Sequence, residues 1–322
     1  MEGFISKEVK LIKPSFEILE QKPGLDGLLQ HIERCGRTCY KSEDKITEKS
    51  APKFVDMLVK RGHTAMVEHG TVYLTLDMSS RNKYFKYCTN KYSNAISTGE
   101  AEAGTWIGYV TTNYRVLLQE GWLSDLEYIT EPTKHIRRIT VKFVCDRGVS
   151  HEFVRHRVFS FAQESTRYCN YSKDKFNKEC TFIIPCWLDI PEGEAWFHDG
   201  INYRVGANEE DIFGESVNPR AWTRNSSWKE VDTYLMVLET AEERYFDLLN
   251  QGWIAQQARA VLPNSLKTEL IMTGTIAQWE GFFKLRCAKD AHPQARELAV
   301  PLYEEFVKRG YITARISKEI LC

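Results

Sequence analysis

Apolar positions recur at helical spacing between Leu25 and Cys39, where Leu28, Leu29, Ile32 and Cys35 share one face, so this stretch is expected to be an amphipathic helix. Before it, Val9 to Leu19 reads as an extended segment broken around Pro14. A second helix is expected from Ser50, which can cap it, through Phe54, Val55, Leu58 and Val59 to a stop at Gly62. The period then changes from helical to alternating. Thr71 to Leu76, Ile139 to Cys145 and Lys267 to Thr273 all read as strands. Residues 78–137 differ from their surroundings: Asn82, Tyr84, Tyr87, Asn90, Tyr92, Trp106, Tyr109 and Tyr114 follow no long period, and the stretch reads as an elaboration between two strands.

The second half repeats this mixture. Asp146-Arg147-Gly148 leads from a strand into a segment ending at Arg155, and Ser227-Trp228-Lys229-Glu230 reads as a capping box for a helix through Asn250. Its buried stripe would be Val231, Tyr234, Leu235, Leu238, Ala241, Tyr245 and Leu248, with Gly252 ending it. A shorter helix runs to Leu262-Pro263. Thr275-x-x-Gln278 caps a helix carrying Trp279, Phe282 and Phe283, and Pro293 opens a last helix that Pro301 should bend. Residues 191–224 combine Gly, Pro, Asn and Trp and read as a surface insertion. Strands and helices alternate without a strict βαβ rhythm and without repeats, which favours an α+β fold, a mixed sheet with flanking helices.

Composition narrows the class of protein. A chain of 322 residues forms one or two compact units, and 43% hydrophobic with 27% charged residues is an ordinary globular mixture. With 43 Lys+Arg against 44 Asp+Glu the net charge is -1, so the bulk balance draws the chain toward neither nucleic acid nor an anionic membrane. Any anion site must be local. The longest apolar run, Phe182 to Leu188, contains Pro185 and is far short of the ~20 residues that span a bilayer. Charges stand near the N-terminus where a signal peptide needs an apolar core, so a cytoplasmic protein is expected. The nine cysteines are odd in number and irregular in spacing, as free thiols of a reducing compartment would be, and Cys35 and Cys39 read as ordinary helix-face residues.

The densest chemistry lies between Arg155 and Tyr168. Arg155, His156, Arg157 and Arg167 stand among Phe159, Phe161 and Tyr168, and their cations repel one another unless an anion or acidic side chains sit among them. A solvated basic face or internal salt bridges would satisfy the same physics. Arg259 and Arg286 stand near apolar residues where an unpaired charge is costly. Metal readings fail on spacing: His151-Glu152 lacks a histidine at position 155, and Pro185-Cys186 lacks the second cysteine of a zinc deaminase. No metal site is expected, and His63 and His69 read as structural histidines. No glycine-rich phosphate loop occurs, so side chains would have to hold any nucleotide.

Arg155-His156-Arg157, seven residues and then Ser165 resembles the signature of the flavin-dependent (alternative) thymidylate synthases, and Arg167-Tyr168 continues it. Four fixed positions match by chance on the order of once per 10⁵ windows at residue frequencies near ~5%. Supporting segments stand in the right order: Gly62-His63 with Glu68-His69, Ala258-Arg259-x-x-Leu262-Pro263 with Thr268-Glu269, then Leu285-Arg286 and His292-x-Gln294. The resemblance covers most of a single domain, residues 1–322, and leaves out 78–137 and 191–224 as insertions. It implies methylation of dUMP to dTMP with 5,10-methylenetetrahydrofolate as carbon donor, NADPH as reductant and FAD as hydride carrier. It also implies a homotetramer whose active sites lie between subunits, with no nucleic-acid or membrane partner.

Carried over residue by residue, the resemblance gives FAD the positions of His63, Arg155, His156, Arg157, Gln163 and Thr275. To dUMP it gives Glu152, Arg155, Gln163, Glu164, Ser165, Thr166, Arg167, Arg259 and Arg286, with Arg286 the catalytic group against the uracil. Ser165 is then a phosphate ligand and not a nucleophile, since hydride chemistry needs no enzyme cysteine or serine. The chain departs from the family at Ala162-Gln163, where Asn-Glu is usual, at Glu152, where Gln is usual, and at Ala65, Ala277 and Gly281, where polar groups usually meet FAD. Two residues are also added between Arg286 and His292. The competing reading is a nucleotide- or RNA-binding module on the same fold that has lost flavin chemistry. A cysteine-dependent synthase is disfavoured because Cys186 stands in Pro-Cys-Trp.

Overall fold

In a computed structural model, residues 6–198, 202–206, 222–223 and 229–313 are described. The strands are β1 (Ser6–Ile12), β2 (Ser15–Leu19), β3 (Thr71–Leu76), β4 (Asn94–Thr98), β5 (Ile107–Asn113), β6 (Arg138–Asp146), β7 (Ser160–Gln163), β8 (Thr181–Ile183), β9 (Gly193–His198), β10 (Asn202–Gly206), β11 (Trp222–Thr223) and β12 (Lys267–Thr275). They form three sheets, in the orders β2-β6-β12-β7, β3-β5-β4 and β11-β10-β9-β1-β8. The first is antiparallel throughout, with β12 between β6 and β7. The fold is mixed α+β.

Alternation in β6 and β12 sorts the central sheet into two faces. Ile139, Val141, Phe143 and Cys145 join Leu270 and Met272 on one of them, against Trp279, Phe282 and Phe283 of the helix Ile276–Arg286 and Leu298, Leu302 and Phe306 of the helix Pro293–Lys308. Leu19, Ala162 and Ile271 on the other face meet Cys35 of the helix Gly24–Tyr40. That helix ends where Lys41 turns into the left-handed region at φ 47°. Thr275 accepts from the Gln278 N–H while Gln278 accepts from the Thr275 N–H, which is the capping box its spacing predicts. The helix Lys229–Asn250 buries Val231, Leu235, Leu238 and Tyr245 against Val9, Leu11 and Phe182; its expected cap, Ser227-Trp228, lies outside the described residues.

The structure corrects several expectations. Ser50 sits at the start of the helix Ala51–Lys60, but its hydroxyl donates to Glu33 and accepts from the Thr47 N–H, and it caps nothing. Residues 78–137 do lie between two strands, β3 and β6, but they are regular where the sequence showed no period. They supply β4, β5 and the helices Arg81–Thr89 and Tyr114–Gln119, and they bury Tyr84, Tyr87, Trp106, Val110 and Leu117 in one cluster with Leu28, Ile32, Phe54 and Leu74. Their apolar residues were too many to stay solvated, and they complete the core beneath two helices. The described parts of 191–224 are likewise regular, since β9 pairs with β1 and with β10; the rest of that stretch lies outside the described residues. Among the described residues no helix is long and apolar enough to cross a membrane, and the eight described cysteines are free thiols.

Candidate active site

The turn after β6 begins the site. Asp146 accepts from the Val149 N–H at 2.7 Å and caps the helix Arg147–Phe153, which carries Glu152. Backbone bonds from His156 to Phe153 and from Phe159 to His156 then fold the chain back, and the His156 ring settles 5.0 Å from that of Phe282. Arg286, in the last turn of Ile276–Arg286, reaches both neighbours. Its Nε donates to His156 Nε2 at 3.0 Å, its Nη2 to the Glu152 carbonyl at 2.6 Å, and its Nη1 to the Glu152 carboxylate. Burial, with the Arg286 charge beside it, pushes His156 down to about 4. The imidazole is therefore neutral, and because Nε2 accepts, its proton sits on Nδ1.

A second group lies along β7 and the loop after it. Gln163 donates to Ser150 at 2.9 Å and to Thr268 at 3.2 Å. Glu164, only 2% exposed, binds Lys267 at 2.9 Å, and the Tyr171 hydroxyl donates to it. Lys267 also reaches Glu269, which Lys142 and Lys41 flank. Burial opposes ionisation of Glu269, but the lysine charges together hold it far below the usual carboxylate range. Above this network the Ser165 N–H donates to the Cys39 carbonyl and its hydroxyl accepts from the Arg167 N–H at 3.4 Å. Arg259 donates to Thr166 at 3.1 Å. Arg167 is exposed and folds over Tyr168.

The remaining predicted residues fall at two further places. His63 Nδ1 meets the Tyr40 hydroxyl at 2.6 Å, and Tyr40 in turn lies 5.6 Å from the ring of Tyr168, so three rings form one surface beside the Ser165 loop. Arg157 and Thr275 line a cavity of about 510 Å³ together with Glu68, Arg138 and Ser160. Burial pushes Arg138 down to about 10; its guanidinium donates to the Glu68 carbonyl, Thr71 and Ser160. Arg155 is exposed and has no ion-pair partner among the described residues.

Contacts within the chain thus join Glu152, His156 and Arg286 in one cluster and Thr166 with Arg259 in another. Glu164, whose carboxylate binds Lys267 and Tyr171, lines a separate cavity of about 380 Å³ with Lys41 and Lys267. Sequence reasoning missed Arg138, Tyr40, Lys41 and Lys267. Arg138 could have been found, as a cation at the start of a buried strand, where it must find polar partners. Lys41 and Lys267 carried no signal until Glu269 was seen to be buried. The site offers planar cations, a neutral imidazole and an aromatic surface, a set suited to anionic ligands with flat rings.

The family model described as "Thymidylate synthase complementing protein" matches residues 127–309. A flavin-dependent thymidylate synthase of Pyrococcus furiosus is 30% identical over 168 residues, 52% of this chain and 53% of that protein. One of Synechocystis is 27% identical over 200 residues, 61% and 76% of the two chains. The chain thus spans about half the length of the Pyrococcus relative it matches. A solved structure of the UMP/dUMP methylase PolB from Streptomyces cacaoi, bound with 5-Br UMP, aligns over 94% of this chain and 92% of its own at 14% identity and a TM-score of 0.42. With more than half of its residues matched by that family model, this chain belongs to the thymidylate synthase complementing protein family.

Proposed function

We propose that the chain is a methyltransferase that converts dUMP to dTMP, with 5,10-methylenetetrahydrofolate as carbon donor, NADPH as reductant and FAD as hydride carrier, in the cytosol and as a homotetramer with active sites between subunits. The observation that carries this reading is Arg286 held between Glu152 and His156. A guanidinium has five N–H donors, and three are spent on these neighbours. Two remain, and they can donate to the O–C–N edge of a uracil that has lost its N3 proton, whose N3 then accepts and whose negative charge the guanidinium stabilises. Neutral His156 adds no competing charge, and Glu152 keeps the guanidinium plane fixed.

The chain's own groups also fit a flavin nucleotide. Arg157 and Arg138 face a cavity of about 510 Å³ without a carboxylate bound to either among the described residues, and a phosphate would relieve both. Thr275 lines the same cavity, although its hydroxyl already serves the helix cap. When bound, FAD would take hydride from NADPH and deliver it to the pyrimidine. Ser165, Arg167 and Arg259 would hold the dUMP phosphate, and the rings of Tyr168, Tyr40 and His63 would exclude water beside a flat substrate. The exposed guanidinium of Arg155 supports completion of the site by another subunit.

The test is anaerobic incubation of the purified protein with FAD, NADPH, 5,10-methylenetetrahydrofolate and dUMP, followed by detection of dTMP. Formation of dTMP that requires all four is expected. A protein that binds FAD and dUMP yet makes no dTMP would overturn the assignment.

A further inference from the structure

The cavity lined by Arg157 and Arg138 has further cations in its lining. Lys91 and Arg115 line it as well, the first just before β4 and the second in Tyr114–Gln119, directly after β5. Both belong to residues 78–137, and both precede residue 127, where the family match begins. Four cations therefore face one space with Glu68 as the carboxylate beside them, and Arg115 engages Glu68. Arg138, Arg157 and the exposed Lys91 have no carboxylate partner among the described residues. Cations that share one cavity repel one another and favour an anion lying among them.

We infer that Lys91 and Arg115 complete a diphosphate-binding subsite for the flavin dinucleotide together with Arg157 and Arg138, so that residues 78–137 form part of the cofactor site's lining. The inference rests on the flavin reading given above, which placed only Arg157 and Arg138 against the phosphates. A dinucleotide's diphosphate carries a negative charge on each phosphate and several acceptor oxygens, matching a cavity lined by several cations. Arg115, steadied by Glu68, supplies planar donors. Lys91, its ammonium 4.8 Å from the centre of the Tyr92 ring, supplies a compact point charge.

Titration of the apoprotein with FAD, followed by flavin fluorescence at low and at high salt, tests the inference without recourse to turnover. Lys91 is exposed, so Lys91→Gln should fold as the wild type does. It should bind FAD at least about tenfold more weakly at low salt, and the difference should narrow at high salt as screening removes what Lys91 contributes. Arg115→Gln should weaken binding further, because it leaves the Glu68 carboxylate facing the phosphates, and Arg115→Lys should recover part of the loss. If the wild type binds FAD and Lys91→Gln binds it equally tightly, or is weakened by the same factor at both salt concentrations, this inference fails while the flavin reading stands. If the wild type takes up no FAD at all, the flavin reading fails and the inference falls with it.

Discussion

Arg286 combines an apolar helix, a carboxylate and an imidazole at one guanidinium, and the consequences of changing it can be stated. A lysine could still pair with Glu152, but it cannot present two parallel N–H groups to a pyrimidine edge while also donating to His156. Arg286→Lys should therefore lose turnover far more than dUMP affinity. The loss of a charge-assisted hydrogen bond, ~1.5–3 kcal/mol, corresponds to a ~10- to 150-fold drop in kcat, measured as dTMP formed per enzyme at saturating dUMP. Ser165 and Cys186 separate a phosphate ligand from a nucleophile. Ser165→Ala should raise the KM for dUMP and keep measurable methylation, whereas an obligatory nucleophile would leave none. Burial and the nearby Glu297 raise the Cys186 thiol above its ordinary value, so little thiolate forms at neutral pH, and Cys186→Ala should keep full activity. Loss of dTMP formation in a folded Cys186→Ala protein would contradict the hydride route.

Between the helix Gly24–Tyr40 and the central sheet runs a buried polar seam. His31 Nε2 meets Thr140 at 3.0 Å, Thr140 meets Thr273 on the neighbouring strand at 2.8 Å, and Thr273 meets His69 Nδ1 at 2.7 Å. Burial above all, with the charges of Arg34 and Arg138 near His31 and of Arg138 near His69, pushes both imidazoles down to about 3, and each disfavours a proton on the other. The folded chain keeps them neutral, while the unfolded chain takes up protons below their ordinary value of 6.5. Their contribution to stability is thus intact above 6.5 and is lost as pH falls from there toward 3, at up to about 1.4 kcal/mol per pH unit for each. Urea midpoints recorded from neutral pH downward should fall, and His31→Gln should give a shallower slope by one proton; an unchanged slope would mean that His31 is protonated in the fold. These elements were legible where one face was apolar: Thr71–Leu76, β6, β12 and the capped helix Ile276–Arg286 all carry their own period. β5 is buried from Gly108 to Asn113 on both faces, and Arg81–Thr89 buries only Tyr84 and Tyr87, so neither carries a period to read. The meeting of Arg286 with Glu152 and His156 was equally invisible, because it joins positions 130 and more residues apart through tertiary packing alone.

At the scale of the whole molecule, the question is whether residues 78–137 can be removed. β5 is the middle strand of its sheet, paired with β3 on one side and β4 on the other. The return to β6 adds a bond from the Thr130 N–H to the Tyr73 carbonyl and one between His135 and the Leu74 carbonyl. Inside the stretch, Asp125 is 1% exposed and is held by Tyr87, Lys83 and Lys86, so its carboxylate is satisfied only when the segment is folded as one piece. Replacing residues 84–130 with a Gly/Ser linker would therefore leave β3 unpaired, and it would expose Leu28, Ile32, Phe54 and Leu74. Large-to-small losses in a core cost about 2–5 kcal/mol for each residue, and whole proteins are stable by only ~5–15 kcal/mol, so the truncated chain should not fold. The contrast is the hairpin tip. Gly99 and Gly104 turn at φ 79° and 68°, and Glu100–Ala103 between them are exposed or half-buried, so a shorter turn there removes almost no core. A chain shortened at the tip should keep a cooperative thermal transition and bind FAD as the wild type does, and the 84–130 replacement should lose both. If the large replacement instead unfolds cooperatively and binds FAD at wild-type affinity, the stretch is dispensable to both the core and the cofactor site.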